Sequence, residues 1–229
     1  MLRSPRVFLG GQAGLVGPVH IDYGTVLAAG FVYRQDHGPD ELVVGEAIKP
    51  HSRAFTASGY RRIRQRVQRN LRYIGNLAAL WHWYQLVRLP LAEGDAALEA
   101  LYRRAAETVA GGIEERVKRL EQLAGYMPES IAQLEPLGSR VEGEITDQRS
   151  FAERWPAMAA ELRAFAQRSG DRSPCCRRFV QRLGAARGDK GYVAAVQALE
   201  PQAVADGSAW LQQIVDQTLE IGGQSGATP

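Results

Sequence analysis

From Val7 to Tyr33 the chain reads VFLGGQAGLVGPVHIDYGTVLAAGFVY, and its strongest constraint is a step of six. Leu9, Leu15, Ile21, Leu27 and Tyr33 recur every six residues, and Val7, Ala13, Val19, Thr25 and Phe31 stand two places before them. Neither a helix of period 3.6 nor a strand of period 2 generates this step, whereas a six-residue β-solenoid unit does. In such a solenoid the aliphatic residue of each unit enters a narrow prism. Small or β-branched residues sit near its corners, and glycines with the Gly17-Pro18 pair turn the chain.

Other readings of the same stretch fail on residue types. Arg3 and Arg6 ahead of an apolar run imitate a secretory leader, but Gly10, Gly11, Gly14, Gly17 and Pro18 interrupt it, and His20 and Asp22 are costly in a span. A phosphate-cradling glycine loop would need a Lys-Ser/Thr ending and a helix behind it, and GGQAGLVG has neither. No membrane role is expected. The two cysteines, Cys175 and Cys176, are neighbours that cannot staple distant segments, so a reducing, cytoplasmic setting is expected. No Cys/His grouping has metal-ligand spacing, and no metal is expected. A hydrophobic content of 45% excludes disorder over the whole length.

The pattern VFLG, LVGPV and AAG, followed by DELVVGEA, resembles the last coils of the left-handed β-helix in hexapeptide-repeat acyltransferases. It is especially similar to the acetyltransferase end of the bifunctional N-acetylglucosamine-1-phosphate uridylyltransferase/glucosamine-1-phosphate acetyltransferase family. The resemblance spans Val7 to about Gly45 and implies a trimer built through the β-helix, with acetyl-CoA in a groove between subunits. Carried over by position, Gly10, Gly11, Ala29 and Gly30 border that groove. The family's catalytic histidine and its sugar-phosphate-binding lysine and arginine residues align ahead of Val7, and an arginine it uses on CoA falls on Glu46. None of His20, His37, His51 and His82 stands at an aligned position that would let it act as the base. The resemblance therefore implies no catalytic residue here. The chain would be a C-terminal fragment of a sugar-nucleotide transferase, inactive in acetyl transfer alone, with a sugar phosphate or sugar nucleotide as ligand in the full-length context. A coil takes about 18 residues, so only about two coils fit, and an open edge would need covering, which implies a longer parent protein. The alternative class is a non-catalytic assembly module that binds a protein partner or, as the lesser expectation, nucleic acid.

Beyond about Thr56 the step of six gives way to steps of three and four. Ile63, Val67, Leu71, Ile74, Ala78, Trp81 and Tyr84 predict one long helix ended by Pro90 and Gly94. Leu98, Leu101, Ala105, Val109, Ile113, Val117 and Leu120 predict a second from Asp95, its N-cap, to Gly125, with Glu114/Lys118 and Glu115/Arg119 paired one turn apart. The two are expected to form an antiparallel hairpin. PESIAQLE reads as a short helix opened by Pro128, and Gly138 to Ser150 as a surface connection. Further stripes follow at Trp155–Phe165, Phe179–Leu183, Tyr192–Leu199 and Trp210–Leu219. The expected fold class is thus a β-solenoid plus all-α chain, with terminal coils of a left-handed β-helix over residues 1–52. A helical domain follows over 53–221, then a flexible tail at 222–229. RYIGNLAALWHWYQLVR and EERVKRLEQLAGYMPESI resemble the helical extensions of longer bacterial proteins, including UDP-N-acetylglucosamine pyrophosphorylase-like ones, that join a sugar-nucleotide transferase module to a β-helix.

Between Ala47 and Ala92 there is no acidic residue, while Lys49, Arg53, Arg61, Arg62, Arg64, Arg66, Arg69, Arg72 and Arg88 are cationic. Arg62, Arg66 and Arg69 share a helix face, as do Arg61 and Arg64. Arg61, Arg62, Arg66 and Arg69 are the candidate anion-binding residues, for the phosphates of CoA or a sugar nucleotide or for an acidic partner surface. No familiar nucleic-acid recognition motif accompanies them, so nucleic acid is not the expected ligand. Trp81 and Tyr84 are expected in the core with His82 on the surface. Of Cys175 and Cys176, one is expected half-buried and one exposed.

Overall fold

The computed structural model describes residues 4–45, 52, 59–167, 173–187 and 191–223. Two compact units divide the chain, Met1–Phe55 and Thr56–Pro229.

In the first unit five two-residue strands, β1 (Phe8–Leu9), β2 (Gly14–Leu15), β3 (Val26–Leu27), β4 (Val32–Tyr33) and β5 (Leu42–Val43), form two parallel sheets ordered β1-β3-β5 and β2-β4. The six-residue columns mark strand register, since Leu9 pairs with Leu27 and Leu15 with Tyr33. They do not mark a buried prism, and the expected left-handed β-helix is overturned. About 70% of the described residues are helical, and their β structure amounts to these sheets of three and two short strands with one isolated bridge between Ile21 and His37. Burial gives the physical reason. Of the column expected to point inward, Leu27 is fully buried and Tyr33 nearly so, but Leu9 and Leu15 are 44% and 46% exposed. Tyr33 also departs from an aliphatic filling, its hydroxyl donating to the carbonyls of Ala28 at 2.8 Å and Val43 at 3.1 Å. Thr25, buried beside Leu27, donates to the Gly38 carbonyl at 2.6 Å.

The second unit is helical: α1 (Ile63–Trp83), a π-helical segment (Tyr84–Arg88), α2 (Leu89–Leu91), α3 (Ala96–Gly125), α4 (Met127–Leu134), a 3-10 segment (Glu135–Val141), α5 (Glu142–Gln167), α6 (Pro174–Arg187), α7 (Tyr192–Gln197) and α8 (Pro201–Ile221). The α1 stripe Ile63, Val67, Leu71, Ile74 and Ala78 is buried in one core with Val117 and Leu120 of α3, Leu162 of α5 and Trp210 and Ile214 of α8. α1 is the centre of the unit, packing on α8, α3 and α5. Gly75 admits α8 closely, since a Cβ there would lie 2.9 Å from Val215 Cα. Asp95 Oδ1 accepts from the N–H groups of Ala97 and Leu98 at 3.1 Å, capping α3 as its sequence position predicts.

The first helical run does end between Pro90 and Gly94, at Leu91, with a π turn ahead of the proline that relaxes the crowding its ring imposes on the preceding turn. Several expectations fail for identifiable reasons. Residues 142–150 belong to α5, not to a surface connection, and Val141 and Gln148 are buried. Gln148 earns its burial by donating to the Tyr60 carbonyl at 2.6 Å, a contact that apolar periodicity cannot register. His82 is buried and Trp81 and Tyr84 are half-buried, the reverse of the expectation. After Ala78 the stripe steps by four to His82, where a step of three to Trp81 was equally compatible with the period. Leu98 and Leu101 of α3 are exposed, so only the later part of its stripe meets a partner. Glu115 pairs with Arg119 at 2.7 Å, but Glu114 turns to Arg163 of α5 at 3.2 Å. Cys176 is buried and Cys175 half-buried, so neither thiol is the exposed one. From residue 224 the expected tail lies outside the described residues. Among those described, no helix is long and apolar enough to cross a membrane.

Candidate anion-binding face

The approach to α1 is fixed from α4 and α5. Tyr60 N–H donates to Ser130 Oγ at 2.8 Å, and Arg62 N–H donates to Glu144 Oε2 at 2.7 Å. Arg62 itself is left-handed, with φ 54° and ψ 44°, and starts the helix without a side-chain cap. Glu144 therefore supplies from a distant helix the acceptor that a local capping residue would provide.

From this start Arg61, Arg62, Arg66 and Arg69 line one surface recess of about 400 Å³ with Gln65 and Asn70. All four sequence candidates thus converge, and each is exposed. Arg61 joins Arg62, Arg66 and Arg69. Its expected face-mate Arg64 turns away to Asp147 at 2.5 Å. Arg66 lies over the Tyr60 ring at 5.6 Å, and that ring stacks on Tyr126 with centroids 6.3 Å apart. Among the described residues none of the four guanidiniums has a carboxylate partner, and the first turn of α1 holds no acid. Sequence reasoning missed Arg116 of α3, whose Nη1 donates to Asn70 Oδ1 at 3.5 Å while its guanidinium covers Tyr73 at 4.7 Å. Its place three residues after the buried Ile113 is a signal for an α1-facing position.

The recess is rich in fixed donors. Guanidiniums and side-chain amides hold an anion by charge and hydrogen bonds. Arg66 and Arg69 stand about 4.5 Å apart along the helix axis, and Arg61 and Arg62 lie just ahead of its first residue. Arg88 lies at the far end of the α1 run, and Lys49, Arg53, Glu46 and His51 fall outside the described residues.

The four small residues expected along a CoA groove lie close together, where the chain packs on itself. Gly10 N–H donates to the Leu27 carbonyl at 2.8 Å and Gly30 N–H to the Gly11 carbonyl at 3.0 Å. Gly10 is buried, and a Cβ on it would fall 2.7 Å from Ala28 C and Ala29 Cα. Its missing side chain makes room for the neighbouring turn. Gly11, Ala29 and Gly30 are exposed beside it. Comparisons of the chain with protein-family models, with curated proteins and with solved structures find no match.

Proposed function

We propose that the helical unit is a phosphate-binding module whose α1 face holds a nucleotide-bearing ligand by its phosphates. The observation that carries this reading is the convergence on one recess of about 400 Å³ of four guanidiniums that have no carboxylate partner among the described residues. The likeness of the α1 and α3 sequences to the helical extensions of sugar-nucleotide transferases supports a sugar nucleotide as the ligand. CoA offers the same phosphate chemistry. In this reading the chain contributes ligand binding to such a transferase and no acetyl-transfer base.

Calorimetric titration of the chain with UDP-N-acetylglucosamine, with CoA and with uridine separates the sources. One phosphate-bearing ligand is expected to saturate a single site, uridine to bind at least tenfold more weakly, and the Arg61→Gln/Arg66→Gln/Arg69→Gln variant to lose at least tenfold in affinity. Equal binding of uridine, or an unaltered affinity in the folded triple variant, would overturn the assignment. So would tighter, steeply salt-dependent binding of a single-stranded oligonucleotide.

A second observation favours self-association through the first unit. Its cross-strand ladder Phe8, Val26 and Leu42 is 59%, 37% and 73% exposed. The ladder carries no charge, so two copies of it can meet without like-charge repulsion, and the proposed occupant is another copy of this chain.

A further inference from the structure

The π-helical segment Tyr84–Arg88 ends on an arginine that the phosphate-binding face does not use. A π turn advances the chain by one extra residue and so changes which way the following side chains point. Arg88 lies over the ring of Tyr102 in α3 at 4.3 Å and over the ring of Tyr192 at the start of α7 at 3.9 Å, and it donates to the Tyr102 hydroxyl. Together with Arg187, the last residue of α6, these side chains line a recess of about 590 Å³, within the usual range for small-molecule sites.

The lining selects one chemistry. A guanidinium stacked on aromatic rings offers a ligand its edge, and that edge matches the two oxygens of a carboxylate. Arg187 donates to the Pro90 carbonyl at 3.5 Å, which holds it at the recess. Neither Arg88 nor Arg187 forms an ion pair with a described carboxylate, so both guanidiniums keep donors for a ligand. Leu91 and Leu98 add apolar wall, and Leu98 is one of the two leucines of the α3 stripe left exposed by the core. Glu93 and Asp95 also line the recess. Asp95 is engaged by the N–H groups of α3, and the two acids together disfavour a ligand carrying more than one negative charge.

We propose that this recess binds a small organic carboxylate with an apolar body, its carboxylate on the edge of Arg88 and beside Arg187, its body against Leu91, Leu98 and Tyr192. The site is separate from the α1 face and does not depend on the function proposed for it.

Calorimetric titration with 3-phenylpropionate tests this, with 3-phenylpropionamide as the neutral isostere and inorganic phosphate as competitor. The carboxylate is expected to saturate one site. The amide is expected to bind at least tenfold more weakly, phosphate not to displace the acid, and Arg88→Lys and Arg187→Met each to weaken binding about tenfold. The Arg61→Gln/Arg66→Gln/Arg69→Gln variant is expected to bind the acid as the unaltered chain does. Absence of saturable binding, equal affinity for the amide, displacement by phosphate, or full affinity in a folded Arg88→Lys or Arg187→Met chain would each overturn the proposal. The acid-against-amide comparison uses the unaltered protein and stands even if a variant fails to fold.

Discussion

Gly75→Ala is the sharpest test of the helical packing, because two known effects oppose each other there. In an isolated helix the change is worth about 1 kcal/mol in favour of alanine. At the α1–α8 crossing the added methyl would lie 2.9 Å from Val215 Cα and 3.2 and 3.3 Å from Thr218 Cβ and Oγ1. Neither neighbour can swing aside cheaply. One is backbone, and Thr218 is fully buried with its hydroxyl donating to the Ile214 carbonyl at 2.9 Å. Overpacking of this kind costs about 1–3 kcal/mol, so the net expectation is a loss of about 1 kcal/mol. Gly111→Ala in α3 supplies the control, since nothing lies within 4 Å of its added methyl, and a gain of about 0.5–1 kcal/mol is expected. For a unit of this size 1 kcal/mol moves the melting midpoint by about 2–4 °C. Thermal unfolding followed by far-ultraviolet circular dichroism should move in opposite directions for the two variants. A Gly75→Ala chain that melts at or above the unaltered protein would refute the close approach of α1 and α8.

Two other outcomes follow from charge and exposure. Arg178 binds the Asp206 carboxylate at 2.7 and 3.1 Å and Arg182 approaches at 3.4 Å; the Arg178 hydrogen bonds and both positive charges hold that carboxyl below its ordinary range, against the opposing effect of burial. Its contribution is therefore present above about pH 4 and lost as pH falls through the depressed folded value, so Asp206→Asn should melt lower than the unaltered protein at pH 6 and converge with it in acid; parallel melting curves across that range would count against the pair. Phe8→Ser/Leu42→Ser should shift sedimentation from an oligomer toward the monomer, and a monomeric unaltered chain at working concentration would remove the self-association reading.

What could be read from the sequence was what depends on neighbours along it. The α1 stripe from Ile63 to Ala78, the Asp95 cap and the pairing of Arg66 with Arg69 on one face all follow from helical geometry, and all are present. The failures need partners far along the chain. Arg64 is taken by Asp147, 83 residues on, and Arg116 reaches Asn70 across 46. Gln148 looks like a surface residue until the Tyr60 carbonyl, 88 residues away, is placed beside it. The six-residue columns show the same divide. They fixed which strands pair, yet whether Leu9 and Leu15 are covered depends on what packs over them, and in this fold they remain exposed.

The start of α1 supports the proposed binding face over a merely solvated one. Cations near a helix N-terminus oppose the macrodipole, typically by about 0.3–1 kcal/mol each, and a left-handed non-glycine residue adds strain at Arg62. An acidic residue within the first turn would relieve the dipole cost, and none is present. The compensation comes from α5 and is divided. Glu144 accepts the Arg62 backbone N–H, and Asp147 takes the Arg64 side chain. The backbone is thus satisfied while the guanidiniums of Arg61, Arg62, Arg66 and Arg69 keep their donors for something else. A ligand carrying phosphates would supply to that face the negative charge that the helix itself withholds, and binding it would relieve the repulsion among the arginines.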